Sequence, residues 1–305
     1  MLKRQKTGRV AQKWKHWCGA ALLLAGCLIF FSPNLHQQYQ DKRIQKEIAE
    51  FHMQSEPEEK SDLFGKIQRY NQELFESGQN CLYEPAYVEK APEIDGIVSD
   101  KMFGYVEIPS IDCTLPLYLG ASEEKLNQGA AVLGGTSVPI GGNNTNCVIA
   151  AHRGWKGIPM FREIERLEIG DELTIQNCQE TLTYRVSEIE IILPDESDKI
   201  MIRPGRNMVT LMTCHPYTQN SRRYVVYCDE VGTQPEKTAD TTADTAEGVG
   251  SSRQENVTSE QNRTEAIAED QRLIERDTLW RKAGYAGIGL IGVLIIFGFI
   301  PRKKH

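Results

Sequence analysis

Between residues 103 and 230 the chain alternates short runs of apolar and β-branched residues with turn residues. Each run has the length and composition of a β-strand, and clusters rich in Gly, Pro, Asn and Asp separate the runs. Strands are predicted at 104–108, 114–118, 147–151, 172–176, 181–192, 208–213 and 224–227. Helical patterns intervene only at 122–128 and 160–167. Strands this short and this closely spaced predict a mainly β domain, either closed or sandwiched.

Two strongly apolar runs lie near the ends of the chain. Residues 17–35 follow a basic segment, 1–16, and residues 283–300 carry no charge and precede a basic tail, 301–305. A cleaved signal peptide is the alternative for the first run, but no Ala-x-Ala-like site follows Phe31. Both runs are therefore predicted to span a membrane. The positive-inside rule then predicts a two-pass protein of the cell membrane, with both termini cytoplasmic and the intervening chain extracytoplasmic.

The segments between these runs differ in composition. Residues 36–79 are charged with a helical period of apolar positions, which predicts a helical stalk. Residues 80–102 are interrupted by Pro and Gly and predict a long irregular loop, and the β domain follows at 103–230. Residues 231–270 are rich in Thr, Ala, Glu, Ser and Gln, which predicts a disordered linker before a juxtamembrane segment at 271–282.

Charge and cysteine content bear on which partners and cofactors the protein uses. The formal net charge is −7, which gives no reason to expect a nucleic-acid partner. No ligand cluster has a recognisable metal spacing, and none of the 8 cysteines forms a Cys-x-x-Cys pair, so neither a metal nor another cofactor is predicted. Apart from Cys214, the predicted extracytoplasmic part holds an odd number of cysteines, which leaves at least one unpaired or bonded to another chain: Cys81, Cys113, Cys147, Cys178 and Cys228.

Cys214 is the strongest candidate for chemistry. It ends a β-rich run and precedes His215-Pro216, and because proline cannot continue a ladder, the thiol is predicted where a strand opens into a loop. Catalytic groups often lie at such edges, although a buried structural cysteine is the alternative. A cysteine nucleophile needs a base, and the predicted topology leaves only His152 and His215 near the β domain.

His152 is the better base of the two. Neighbouring residues of an extended segment point to opposite sides, so His215 is poorly placed to touch the thiol, whereas His152 ends another predicted strand. A surface histidine without a function is the alternative. A guanidinium is suited to hold an oxyanion, and Arg222 and Arg223 begin the next strand, where only one of them can face the site. A solvated arginine pair is the alternative there.

These residues carry a family resemblance. The segment 210–214, Thr-Leu-Met-Thr-Cys, resembles the Thr-Leu-x-Thr-Cys signature of sortases, the membrane-anchored cysteine transpeptidases of Gram-positive bacteria. The segment from Cys214 to Tyr217, with Asn220 and Arg223, is similar to class C, the pilin-polymerising sortases, and similarity continues at 104–109, 129–142 and 151–154. The resemblance implies a closed sortase-type β-barrel with short helices. It also implies Cys214 as nucleophile, His152 as acid and base, and Arg223 as the catalytic arginine.

Further expectations come from the same resemblance. The substrate is a protein with a sorting signal of the LPXTG type, cleaved between Thr and Gly, and the acyl acceptor is an amine such as a pilin lysine. Substrate-contacting candidates are Thr213, Tyr217, Asn220 and Ser137. A class C lid is expected in the loop 80–102, with anchors at Tyr83, Glu84, Pro85 and Tyr87, and a loop that only packs on the side of the barrel is the alternative. The alternatives are a sortase that attaches proteins to peptidoglycan and a non-catalytic, membrane-tethered peptide-binding domain.

Overall fold

The computed structural model describes residues 38–39, 42–51, 57–79, 88–98, 100–154, 158–217, 219–231, 268, 272–276 and 279. The chain divides into two compact units. One comprises Met1–Asp41 and Leu273–His305, and its described residues are helical. The other comprises Lys42–Arg272 and contains all the strands that the structure describes.

Eight strands form a closed barrel, which confirms the mainly β prediction. They are β1 Gly104–Ile108, β2 Cys113–Leu119, β3 Ala130–Val132, β4 Thr145–Ala150, β5 Glu172–Asn177, β6 Thr181–Ile192, β7 Asn207–His215 and β8 Arg222–Glu230. Their order around the barrel is β1-β2-β3-β4-β7-β8-β6-β5, and β5 pairs with β1 to close it. The pairs β2/β3 and β4/β7 are parallel, whereas the other neighbours are antiparallel.

Alternation along β7 and β8 separates an interior from an outer layer. Val209, Leu211 and Val226 belong to the cluster that fills the barrel. Met208 and Val225, which directly precede Val209 and Val226, belong to a second cluster on the outer face. Because successive side chains of a strand point to opposite faces, each strand contributes to both layers. This alternation decides which side of the barrel each site residue faces.

Helices and 3-10 turns accompany the barrel in the part of the chain that the structure describes. Helix α1 spans Pro57–Glu76 and α2 spans Glu123–Leu126, and the 3-10 turns are Pro109–Ile111, Ile164–Arg166 and Ser197–Ile200. Residues 42–51 are also helical. The Asn71 side chain of α1 donates to the Val138 carbonyl at 3.0 Å and accepts from the Val138 N–H at 2.9 Å. Ile67 of the same helix is fully buried in the interior cluster, so α1 packs on the barrel.

The structure differs from the predicted elements in two places. The short strand β3 has no counterpart in the sequence prediction, and the helix predicted at 160–167 is a single 3-10 turn, Ile164–Arg166. No helix within the described ranges is both long and apolar enough to cross a membrane. The spans predicted at 17–35 and 283–300 lie outside those ranges.

Candidate active site

The parallel pair β4 and β7 brings the predicted base and nucleophile to one end of the barrel. Ala150 of β4 pairs with Met212 of β7, and the Ala151 N–H donates to the Met212 carbonyl at 3.2 Å. His152 and Cys214 each lie two residues beyond that pair. Neighbouring strands are about 4.8 Å apart, so the two residues occupy the same level on adjacent strands.

Strand β8 adds one arginine to the same face. In the antiparallel register Cys214 pairs with Arg223, and His215 pairs with Arg222. Directly opposed residues of an antiparallel pair project from the same face. Cys214 is half-buried, whereas the flanking Thr213 and His215 are buried. Cys214 and Arg223 therefore lie on the outer face, and Arg222 has the opposite orientation.

The loop between β7 and β8 holds the Arg223 side chain. Its Nη1 donates to the carbonyls of Asn220 at 3.2 Å and Arg222 at 3.0 Å. Asn220 is exposed and has a positive φ of 60°, which asparagine tolerates better than most residues. Tyr217, in the same loop, is half-buried. Two of the predicted substrate contacts, Tyr217 and Asn220, thus lie next to the Cys214 and Arg223 pair.

His152 contacts a side chain that the sequence analysis did not single out. Its Nε2 lies 3.2 Å from Oδ1 of Asn127, the residue that follows α2. A proton on Nε2 is donated to this oxygen, which leaves the ring lone pair on Nδ1. Burial lowers the pKa of His152 below its ordinary value of 6.5, and the nearby charge of Glu123 partly opposes that shift. The imidazole is therefore mostly neutral at pH 7.

Comparison with known proteins decides the family. A family model of the sortase domain matches residues 106–231. Sortase C from Clostridium perfringens SM101 is 33% identical, and the match covers 62% of this chain and 98% of that structure with a TM-score of 0.53. The pilus-related sortase C of Group B Streptococcus is 31% identical over 61% of this chain and 96% of that structure, with a TM-score of 0.55.

The chain belongs to the sortase family. This confirms the resemblance seen in the sequence, and the two solved structures just compared are sortase C proteins. Sortase A of Bacillus anthracis is 31% identical over 137 residues, which is 45% of this chain and 63% of that protein. The chain thus covers less than two thirds of that relative. Sortases are cysteine transpeptidases, and the end of the barrel described above contains a cysteine.

The sortase barrel does not bring Ser137 to this end. Ser137 is fully buried, and its hydroxyl accepts a hydrogen bond from the Asn146 N–H at 3.1 Å. Asn146 lies near the start of β4, and the run of strand from there to His152 is roughly 20 Å long. Thr213 is close in sequence to Cys214, but its buried hydroxyl donates to the Ala151 carbonyl at 2.8 Å. The Thr213 hydroxyl therefore links β7 to the residue after β4 on the inner side of the barrel.

Apolar side chains continue the outer face beside Cys214. Ala150 and Met212 are partly buried against the outer cluster, as are Leu126 of α2 and Val88. Val88 follows the predicted lid anchors Tyr83, Glu84, Pro85 and Tyr87, which lie outside the described residues. The sortase domain therefore presents a partly apolar surface next to the thiol.

Residues on the inner side of the site were also missed from the sequence. Arg153 and Glu165 are buried and form an ion pair that contacts His215. The contacts of His215 with Arg153 and Glu165 join residues 62 and 50 positions apart in the chain, which no spacing rule connects. A charged residue directly after His152 was visible, but nothing local marked it as buried.

Metal ligation and disulfides add little to the site. No group of three or more His, Cys, Asp or Glu side chains in the described part of the chain could hold a metal ion, and the absence of a cofactor stays a prediction. The structure describes Cys113, Cys147, Cys214 and Cys228, which are free thiols, and Cys178. Of these, only Cys178 and Cys214 are not buried.

Proposed function

We propose that this sortase cleaves an LPXTG-type sorting signal between Thr and Gly and transfers the acyl group to an amine. The observation that supports this proposal best is the grouping of Cys214, His152 and Arg223. They lie on one face at the ends of three adjacent strands, β4, β7 and β8. A thiol, an imidazole and a guanidinium are the nucleophile, the proton carrier and the oxyanion donor that acyl transfer requires.

The signal peptide binds in extended form along the outer face beside β7. Met212, Ala150 and Leu126 supply apolar contacts for its Leu and Pro side chains. Tyr217 and Asn220, in the loop after Cys214, are near the scissile Thr-Gly bond. Such a pose puts the Thr carbonyl carbon beside the Cys214 sulfur, as attack requires.

Acylation uses the three polar groups in sequence. Neutral His152 accepts the proton of the Cys214 thiol, and the sulfur attacks the Thr carbonyl carbon. Arg223 donates hydrogen bonds to the developing oxyanion, which is charge stabilisation in place before the reaction. The C–N bond to Gly then breaks, and protonated His152 gives its proton to the departing amine. The products are a thioester on Cys214 and a free Gly N-terminus.

The thioester is resolved by an amine. We propose a pilin lysine as this amine, because similar structures include a pilus-related sortase C and a sortase C with a C-terminal cell wall sorting motif. The lysine nitrogen attacks the thioester carbon, the C–S bond breaks, and one proton passes from the amine through His152 to the thiolate. The enzyme works at the outer side of the cell membrane, held by the two spans predicted from the sequence. A peptidoglycan amine would make it a wall-anchoring sortase instead.

One experiment tests the reaction. The full chain is incubated with a panel of LPXTG-type peptides, with and without lysine-containing pilin domains, and mass spectrometry follows the Cys214 peptide. A mass increase equal to the peptide up to its Thr, absent in Cys214→Ala, is the expected thioester. Pilin ladders support the lysine acceptor, and single anchored proteins support wall attachment. Peptide binding without any adduct, in a chain whose Cys214 reacts readily with iodoacetamide, would indicate a binding module.

A further inference from the structure

A buried ionic network lies behind the Cys214 end of β7. Arg153 Nη2 forms an ion pair with Glu165 Oε1, and their side chains are 3% and 0% exposed. His215 Nδ1 lies 3.0 Å from the same Glu165 oxygen and 3.1 Å from Arg153 Nη1. His215 is 1% exposed, and its ring also contacts the buried Tyr224 ring, with the centroids 5.9 Å apart.

The network reaches the backbone of the nucleophile. Regular pairing of β4 with β7 ends at Ala150 and Met212. At the next rungs, the Ala151 N–H donates to Met212, and Arg153 Nη1 lies 3.3 Å from the Cys214 carbonyl, to which it donates. A side chain therefore continues the link between the two strands beyond the end of their ladder. Arg153 directly follows His152, so its guanidinium connects the strand end of the base to that of the nucleophile.

Stability alone does not explain this arrangement. Burying a guanidinium and a carboxylate costs several kcal/mol of desolvation per ion, and apolar residues of similar volume often give an equally stable or more stable protein. The planar guanidinium presents its donors in a fixed fork, which a lysine ammonium does not. In Arg153, Nη2 pairs with Glu165, whereas Nη1 contacts both His215 and the Cys214 carbonyl.

We propose that Arg153, oriented by Glu165 and His215, is a positioning residue that clamps the Cys214 end of β7 to the His152 end of β4. The clamp sets the distance over which the thiol proton moves to the imidazole. It acts from the inner side of the barrel and touches neither the substrate nor the reacting atoms. The kinetic part of this inference rests on the proposed function, whereas the geometry of the thiol does not.

Two variants of the full chain separate positioning from stability. Arg153→Lys keeps a positive charge beside Glu165 but loses the fork. The triple variant Arg153→Met, Glu165→Met and His215→Leu removes every charge of the network and fills the space with apolar atoms. We expect the triple variant to melt close to the wild type. In both variants kcat for thioester formation should fall roughly ten- to a hundredfold with KM little changed, because small misplacements of reacting groups cost rate.

A matched control is the Arg206–Asp229 pair. Arg206 Nη2 lies 2.5 Å from Asp229 Oδ2, and Asp229 lies towards the end of β8 far from Arg223. Arg206→Met also removes an arginine from an ion pair, and it should leave kcat within about twofold. If the triple variant regained wild-type kcat along with wild-type stability, the network would be merely structural and the proposal would be wrong.

A substrate-free readout keeps this test independent of the proposed function. The full chain is treated with iodoacetamide at pH 7, and peptide mass spectrometry compares labelling of Cys214 with that of a short cysteine-containing reference peptide added to the same sample. We expect the ratio of Cys214 labelling to reference-peptide labelling to fall about tenfold in both clamp variants and to stay unchanged in Arg206→Met. An unchanged ratio in the clamp variants refutes the clamp. If the labelling ratio falls in the clamp variants but the wild-type chain forms no thioester with any peptide, the clamp is supported and only the proposed acyl transfer is rejected.

Discussion

At the scale of single residues, Cys214 differs from the other barrel thiols in its surroundings. Cys147 and Cys228 are 2% and 0% exposed, and burial raises the pKa of both thiols. Cys113 is also enclosed, and burial raises its pKa to about 12. These thiols stay protonated at neutral pH, whereas Cys214 is half-buried on the outer face beside Arg223. Thiol reagents should therefore distinguish it sharply from the buried cysteines.

The strand register predicts which arginine acts. Cys214→Ala should abolish thioester formation, and Arg223→Ala should lower its rate about 10²- to 10³-fold, because an oxyanion donor is lost. His152→Ala should cost a similar factor through loss of the proton carrier. Arg222→Ala, which changes the side chain on the opposite face, is the control and should stay within about twofold. Rates come from mass spectrometry of the adduct. An essential Arg222 with a dispensable Arg223 would contradict the register.

The pKa of His152 predicts a pH dependence. The imidazole must be neutral to accept the thiol proton, so the acylation rate should fall as pH drops through a pKa below 6.5. Stability should also decrease as pH falls. Because His152 binds a proton more readily in the unfolded state, the free energy of unfolding decreases as pH falls from above 6.5 towards the pKa of His152 in the folded protein. Glu123→Gln removes a charge that raises this pKa, and NMR titration of the ring should show a further decrease. An increase in Glu123→Gln would refute this assignment.

Much of the site was visible in the sequence, but its partners were not. Cys214 and His152 each end a β-rich run, which is a local signal. The contacts of Asn127 with His152 and of Glu165 with His215 join residues 25 and 50 positions apart. Such contacts depend on barrel closure, and no local pattern encodes them.

At the scale of elements, the sequence predicted the strands in which apolar and polar residues alternate or in which the apolar run is long. Strand β3 was missed because all of its residues, Ala130–Val132, are buried, so it shows no alternation. The ends of β4 and β7 extend into polar residues, since Thr145 and Asn207 hydrogen-bond each other at 3.1 Å. The helix predicted at 160–167 cannot include Met160, whose φ is positive at 47°, or Leu167, whose backbone is extended.

Helix α1 should depend on one amide for its attachment to the barrel. Asn71→Ala leaves the buried Val138 N–H without a partner, whereas the Val138 carbonyl keeps the hydrogen bond from the Ile140 N–H at 3.0 Å. The free energy of unfolding should therefore fall by about 1–3 kcal/mol. Gln72→Ala is the control, because Gln72 is exposed and its side chain donates to its helix neighbour Glu76, and it should change stability by less than about 0.5 kcal/mol. Urea denaturation measures both. Equal losses would show that Asn71 is not the anchor.

The lid stays a prediction, and Val88, the residue after Tyr87, is attached to the barrel. The Val88 carbonyl accepts hydrogen bonds from the N–H groups of Ala121 at 3.1 Å and Gly134 at 3.0 Å, and Val88 packs on the outer cluster. Since Tyr87 immediately precedes this anchor, Tyr83→Ala combined with Tyr87→Ala should raise the iodoacetamide labelling rate of Cys214 several-fold. The melting temperature should not change. Wild-type labelling already as fast as in the double variant would mean that no lid covers the thiol.

At the scale of the whole molecule, the predicted membrane topology awaits its own test. The full chain should partition into the membrane fraction, and protease added to intact cells should reach the barrel but not the termini. Tags at each end, detected by immunoblot before and after permeabilisation, give the readout. A chain lacking 1–36 and 283–305 should be released from the membrane. A protease-resistant barrel in intact cells would reverse the predicted orientation.

The parallel pairing of β4 with β7 also has a consequence for the order of assembly. Parallel neighbours cannot be joined by a tight turn, and the intervening chain here contains β5 and β6. Strand β8, which carries Arg223, then inserts between β7 and β6. Pairing between strands distant in sequence is slow to form, because the connecting chain must first be ordered. A chain made from its N-terminus therefore has Cys214, His152 and Arg223 in register only once the last strand is in place, so a product that ends before β8 lacks part of the proposed site.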